Sequence, residues 1–340
     1  MIDFKLHSGD LANFPKLEWR NFHFSFNPAF SSVYARLDDS EFGLIEVNGD
    51  VKGYIPVLLK KSKLINTLKF MFNPVNLVGE LFSPQEEEQI LEAFIHHLKK
   101  DNEIDRILQP LNWMLFQASP KESVSVPFGS YVLNLTDEDT VWKGLHTKHR
   151  NVIRNAWKKE AVIKSGADQL TAFYELYSGT MERNNMHCEP KWYFEELLKT
   201  NGDNIHCSVV YFNEQAQGAL FVPFTKQGAY YVYGASAPRI ELTGAVNALH
   251  YDLIQNMVKA NVEIYDFVGA RLSDVSGSRL EGIQKFKKRF GGNLREGYLW
   301  KMDLNSTKCK LYDIALSTKL KLKRIKLKGD IIDQELPKFQ

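Results

Sequence analysis

The chain has 340 residues, 44% hydrophobic and 25% charged, with a formal net charge of +2. That balance suits a globular protein, and the length exceeds what one core usually holds, so two domains are expected. No apolar stretch reaches the roughly 18 residues of a membrane span, the opening MIDFKLHSGD has no signal-peptide pattern, and three cysteines make no disulfide framework; a cytoplasmic setting is predicted.

Residues 42–59, FGLIEVNGDVKGYIPVLL, read as two strands around a turn at Asn48-Gly49. PQEEEQILEAFIHHLKK follows as an amphipathic helix and leads into an extended IDRILQP. PFGSYVLNLTDEDT, residues 127–140, reads as a strand and then an acidic helix cap. A helix is expected from about Thr140 to Glu160, with Leu145, His149, Val152, Ile153 and Ala156 as its apolar stripe. Arg150, Arg154 and Lys158 form a row on another face, either a phosphate-facing ridge or a solvated one. His146 and His149 have no nearby carboxylate or cysteine to complete a ligand set, so no metal site is expected.

CSVVYFNEQAQGALFVPF, residues 207–224, repeats the hairpin plan: Asn48 and Asn213, like Gly53 and Gly218, are 165 positions apart. GAYYVYGASAPRIELTGAVNALHYDLI reads as strand, loop and helix. The free N–H groups of that helix start suit a phosphate, with Arg239, Thr243, Gly244 and Ala245 as its contacts. Tyr233, on the preceding strand, serves either packing or a site. IYDFVGAR sets Asp266 among apolar neighbours, as a cap, an ion-pair partner or a general base.

SRLEGIQKFKKRFGG opens on an S-x-x-E capping box, Ser278 and Glu281, and stops at two glycines. Ile283, Phe286 and Phe290 share one face with Leu280 to its side, and Lys287 falls between Phe290 and Leu280, partly desolvated. From Lys308 to Lys328, eight lysines and arginines stand against one acid, Asp313; this is either a solvated tail or a contact for something anionic. Each half offers a hairpin, a crossover helix and a further strand, an α/β arrangement used twice. The expected divisions are 1–135, 136–310 and a basic segment, 311–340.

The runs IYDFVGA and GIQKFKKRFGG, with HRNVIRNAWKKEAVI and YYVYGAS, resemble the FemAB/FemX family of peptidoglycan bridge-forming aminoacyltransferases. The resemblance implies two tandem GNAT-like domains, each a mixed, mostly antiparallel sheet flanked by helices, with the last segment returning to the first domain. It implies transfer of an amino acid from aminoacyl-tRNA to an amine of a cell-envelope precursor, while GNAT-type relatives use acyl-CoA; neither co-substrate is a permanently bound cofactor. It places Phe286 and Lys287 at the reaction centre, the lysine stabilising an oxyanion; the acceptor amine would be deprotonated by a base such as Asp266 or by the substrate itself. Tyr233, Arg239, Arg271, Arg279, Arg150 and Arg154 are the expected substrate contacts, and Thr243, Gly244 and Ala245 the cofactor contacts. The basic tail would meet the inner face of the membrane. Two departures stand out: the long helical hairpin that serves some members as a tRNA arm is missing, and PRIELTGA matches the CoA pyrophosphate loop only loosely. A non-catalytic RNA- or phosphate-binding module is the rival expectation.

Overall fold

The computed structural model describes residues 2–111, 113–322 and 329–339. Half of the cationic run, residues 323–328, therefore lies outside the described residues. Two sheets carry the fold. The long one runs Ile2–Ser8, Glu41–Gly49, Gly53–Lys60, Thr67–Phe70, Arg106–Leu108, Asn293–Asp303, Val124–Asn134, Ile264–Asp266 and Ala229–Tyr230. The short one runs Tyr233–Ser236, Gln215–Pro223, Ile205–Phe212 and Val162–Ser165.

The repeated plan is visible in the pairing. In the first half the helix Pro84–Asp101 crosses from Thr67–Phe70 to the parallel strand Arg106–Leu108. In the second, Ala245–Lys259 crosses from Ala229–Tyr230 to the parallel strand Ile264–Asp266. All other named-strand pairings among the described residues are antiparallel. The chain is thus an α/β protein whose mixed, mostly antiparallel sheets are flanked by helices.

The two halves share one sheet. The late strand Asn293–Asp303 lies between Arg106–Leu108 and Val124–Asn134, while the latter also pairs with Ile264–Asp266. No break in the long sheet falls at 135/136. The carboxy-terminal segment touches both halves: Ile332 N donates to Gln109 Oε1 at 2.9 Å, and Arg106 bridges Asp303 and Asp313. The tail also pairs Lys301 with Asp330 and Asp333.

Several local expectations need correction. The first hairpin pairs Val47 with Gly53, so its loop is longer than a two-residue Asn48-Gly49 turn. Gly53 is required because a Cβ there would strike the Val75 carbonyl, where the short strand Val75–Asn76 crosses. The single helix expected over 140–160 is two, Glu138–Gly144 and Thr147–Lys158, separated by an extended Leu145. His146 caps the second helix, its Nδ1 accepting from Lys148 N at 3.1 Å. The helix Arg279–Lys288 starts where expected but without a capping box: Ser278 Oγ donates to Val275 O, and Glu281 accepts from Gly277 N. It is also turned relative to the expected phase. Lys287 and Phe290 are buried, whereas Leu280 and Ile283 reach solvent.

Candidate active site

The strand Ile264–Asp266 ends at a strained turn. Val268 has φ +39° and Gly269 φ +62°; for a β-branched residue a positive φ is an outlier that neighbours must hold in place. Two charged side chains do so from opposite sides. Asp266 accepts a hydrogen bond from Val268 N at 2.8 Å and another from Ser130 Oγ. Lys287 Nζ donates to the carbonyls of Val268 and, at 2.8 Å, Gly269.

Burial sets the electrostatics of both groups. It raises the proton affinity of the Asp266 carboxyl above that of an ordinary carboxylate, opposed by its hydrogen bonds and by the charges of Arg295 and Lys287. It pulls the Lys287 ammonium down to about 8, opposed by Asp266. The pair senses each other across the turn.

On the Asp266 side lies a cavity of about 290 Å³ between the halves. Phe72, Asn73 and Trp113 line it from the first half; Ser130, Asp266 and Arg295 line it with the turn residues Val268 and Gly269. The Arg295 side chain is exposed at this cavity and has no ion-pair partner among the described residues. A proton-seeking carboxyl and an uncommitted guanidinium therefore face one space. Lys287 does not line it; the turn it holds does. The cavity reaches Asp266 and not the lysine.

The other expected site residues are dispersed. Phe286 packs its ring against His149, His250 and Phe290, and its carbonyl bonds His149 Nε2 at 3.1 Å. Burial pushes that imidazole down to about 4, so His149 is neutral at pH 7. Tyr233 is buried in an aromatic cluster with its hydroxyl on Tyr193 Oη at 3.0 Å. Arg271 pairs with the buried Glu335 at 2.9 Å and so anchors the last helix, Ile331–Phe339. Arg150 donates to the carbonyls of Lys143 and Leu145, closing the break between the two helices. Arg154 stacks over Trp142, 5.2 Å from its centroid, and Arg279 bonds the Asn184 side chain. Arg239 lies on an exposed loop.

At the expected phosphate contacts, the start of Ala245–Lys259 leaves Thr243 exposed and Gly244 half-buried, while Ala245 is buried. Gly244 has φ +92°, and a Cβ there would strike the Val152 carbonyl; Asn155 reaches the Thr243 carbonyl. Thus the helix Thr147–Lys158 packs against Gly244, beside an exposed Thr243. Its outer side exposes Lys148, Lys158 and Lys159, none with an ion-pair partner among the described residues. Among those residues, too, no group of three His, Cys, Asp or Glu could hold a metal, and no helix is long and apolar enough to cross a membrane.

Ser130 and Arg295 escaped sequence reasoning. Each sits on a strand whose pattern reads only as packing, and their link to Asp266 comes from sheet pairing: Asp266 opposes Val132, and Arg295 opposes Ser130.

Residues 147–288 match the family model described as Acetyltransferase (GNAT) domain. The second half is an acyltransferase domain. No curated protein matches the chain by sequence. Among solved structures, FemX is similar at 15% identity, TM-score 0.62, over 82% of this chain and 93% of FemX. The C-terminal domain of a putative lysylphosphatidylglycerol synthetase from Agrobacterium fabrum is similar at 12% identity, TM-score 0.52, over 85% of this chain and 91% of that one. A conserved protein of unknown function from Bacteroides thetaiotaomicron is similar at 15% identity, TM-score 0.52, over 89% and 100%. At these identities the likeness is one of fold.

Proposed function

We propose that this acyltransferase moves an aminoacyl group from aminoacyl-tRNA to an amine of a cell-envelope precursor, in the cavity between the halves. The observation that carries the reading is the buried Asp266 carboxyl, its proton affinity raised, facing a cavity with the unpaired Arg295. A base of raised pKa is better matched to an amine near neutral pH than an ordinary carboxylate.

The amine nitrogen attacks the ester carbonyl carbon, a C–N bond forms, and the C–O bond to the tRNA ribose breaks. Asp266 takes the amine proton and returns it to the leaving oxygen. Arg295 holds an anionic part of either substrate. Lys287 acts here as a positioning residue, fixing the turn that fixes Asp266.

Aminoacyl-tRNA is favoured as donor over acyl-CoA by Lys148, Lys158 and Lys159, exposed along the helix Thr147–Lys158 with no ion-pair partner among the described residues. The envelope acceptor rests on the sequence resemblance, with the names of FemX and lysylphosphatidylglycerol synthetase in its support. Peripheral membrane contact is supported by the helix Ser306–Leu322, which exposes Leu311, Ile314 and Leu322 beside Lys310, Lys319 and Lys321. A donor screen tests the whole: charged tRNAs and acyl-CoAs are offered against lipid-linked and nucleotide-linked sugar acceptors. Transfer from tRNA alone is expected; transfer from acyl-CoA alone refutes the donor.

A further inference from the structure

The first-half wall of the cavity between the halves is chemically one-sided. Asn73 and Gln117 line it, and the helix Pro84–Asp101 places the fully buried Glu87 behind them. Glu87 accepts from Gln117 N at 2.7 Å, Ala118 N at 3.2 Å, Asn73 Nδ2 at 2.8 Å and Gln117 Nε2 at 3.3 Å. Every partner is a donor, which a carboxylate satisfies and a protonated acid does not.

That carboxylate fixes which way both amides face. The second N–H of Asn73 Nδ2 goes to Leu115 O at 2.9 Å, and that of Gln117 Nε2 to Phe82 O at 2.8 Å. These partners can only accept, so neither amide can be turned over without setting oxygen against oxygen. The amide oxygens, Asn73 Oδ1 and Gln117 Oε1, are left with no hydrogen-bond partner among the described residues, and neither is among the polar atoms sealed without one. Asn73 is only 2% exposed, so the opening left to its oxygen is the cavity. Both amide nitrogens meet on one atom, Glu87 Oε2, and the two amides therefore stand side by side.

Two free amide oxygens backed by a buried carboxylate suit a cation that carries N–H groups. The cavity's own cation, Arg295, comes from the strand Asn293–Asp303, next to Glu296. We propose that the first-half wall is an ammonium subsite, where Asn73 and Gln117 accept from the α-ammonium of the aminoacyl group being transferred. An amide oxygen does not take up a proton near neutral pH, so a group held there stays protonated. The attacking amine has to lose its proton and belongs with Asp266. The distinction matters because an α-amine titrates at about 7.7–8.0, and its free form is itself a nucleophile. Hydrogen bonds to the ammonium favour the charged form and keep it from competing with the acceptor. The subsite thereby selects aminoacyl over simple acyl groups. Its assignment to the aminoacyl group rests on the transfer reading above; its preference for an ammonium does not.

Ligand-observed NMR titration of the full chain tests it without any transfer, at about pH 6, where an α-amine is protonated. The probes are a panel of amino acid methyl esters, each against the matching α-hydroxy acid ester, which replaces the ammonium by a hydroxyl without adding bulk. At least one amino ester should bind about tenfold tighter than its hydroxy counterpart, as a hydrogen-bonded charge allows. Gln117→Met and Asn73→Leu should each cut that preference several-fold. The preference is a ratio of two affinities on one preparation, so partial unfolding of a variant cancels, and Gln117, being half-buried, is the milder site to change. Equal binding of amino and hydroxy esters, no binding of any amino ester, or a preference unmoved by both substitutions overturns the proposal. Binding of n-propylamine as tight as the best amino ester gives the subsite to the acceptor amine and overturns the assignment to the aminoacyl group. A preference that holds while the donor screen finds no transfer from tRNA refutes the transfer reading and leaves the ammonium subsite standing.

Discussion

Lys287→Met separates the burial of this lysine from everything else the helix does. In the wild type at pH 7 the ammonium is charged in both the folded and the unfolded chain, so its desolvation penalty is present in full. Burial has brought it down to about 8, against about 10.4 when unfolded. As pH rises through about 8 the folded chain sheds the proton first, and the penalty is relieved until the unfolded lysine follows. Between pH 7 and 9.5 the wild type should therefore gain about 2 kcal/mol relative to the variant. At pH 7 itself the substitution removes the penalty but strips the carbonyls of Val268 and Gly269 of their donor, about 1–3 kcal/mol each. Those effects oppose, and a small net change is expected. Urea unfolding of both proteins at several pH values reads the difference directly, since groups common to both cancel. A stability difference that stays flat from pH 7 to 9.5 would refute the claim that the ammonium is held out of water.

Arg271→Met should destabilise the fold by about 1–2 kcal/mol, because the buried Glu335 loses one of its two cations and keeps Lys338 and Ser273, and adding Lys338→Met should raise the loss to about 3 kcal/mol or more; a raised KM with unchanged melting would instead return Arg271 to the substrate. Charge reversal of Lys148 and Lys158 should weaken tRNA binding and flatten its salt dependence, measured by filter binding between 50 and 200 mM salt, concentrations at which about two phosphate contacts would show. Leu311→Glu with Ile314→Glu should abolish co-sedimentation with vesicles of anionic phospholipid while leaving the melting temperature unchanged, since both side chains are exposed.

The repeated α/β plan was legible because hairpins and crossover helices are local patterns, and each half writes them within one stretch of chain. Asp266 was legible as a carboxylate in an apolar run, and Lys287 as a cation at the edge of a stripe. The phase of that helix was less so: the partner it packs on, the Val268–Gly269 turn, depends on a positive φ at valine that no sequence rule supplies. The break at Leu145 follows Gly144, but the apolar stripe runs on across it and hides it; it is closed by Arg150, whose targets are backbone carbonyls. Arg271 looked like a cleft residue because Glu335, its partner, is 64 positions away. For the same reason Ser130 and Arg295 could not be joined to Asp266 before the sheet order was known.

The central claim is that Asp266 accepts the proton of the attacking amine. Asp266→Asn keeps a side-chain oxygen for Ser130 and Val268 but removes the base. With the donor and acceptor found in the screen, kcat should fall by about 10²-fold or more while the unfolding midpoint stays near wild type. Turnover by Asp266→Asn within a few-fold of wild type would contradict the account.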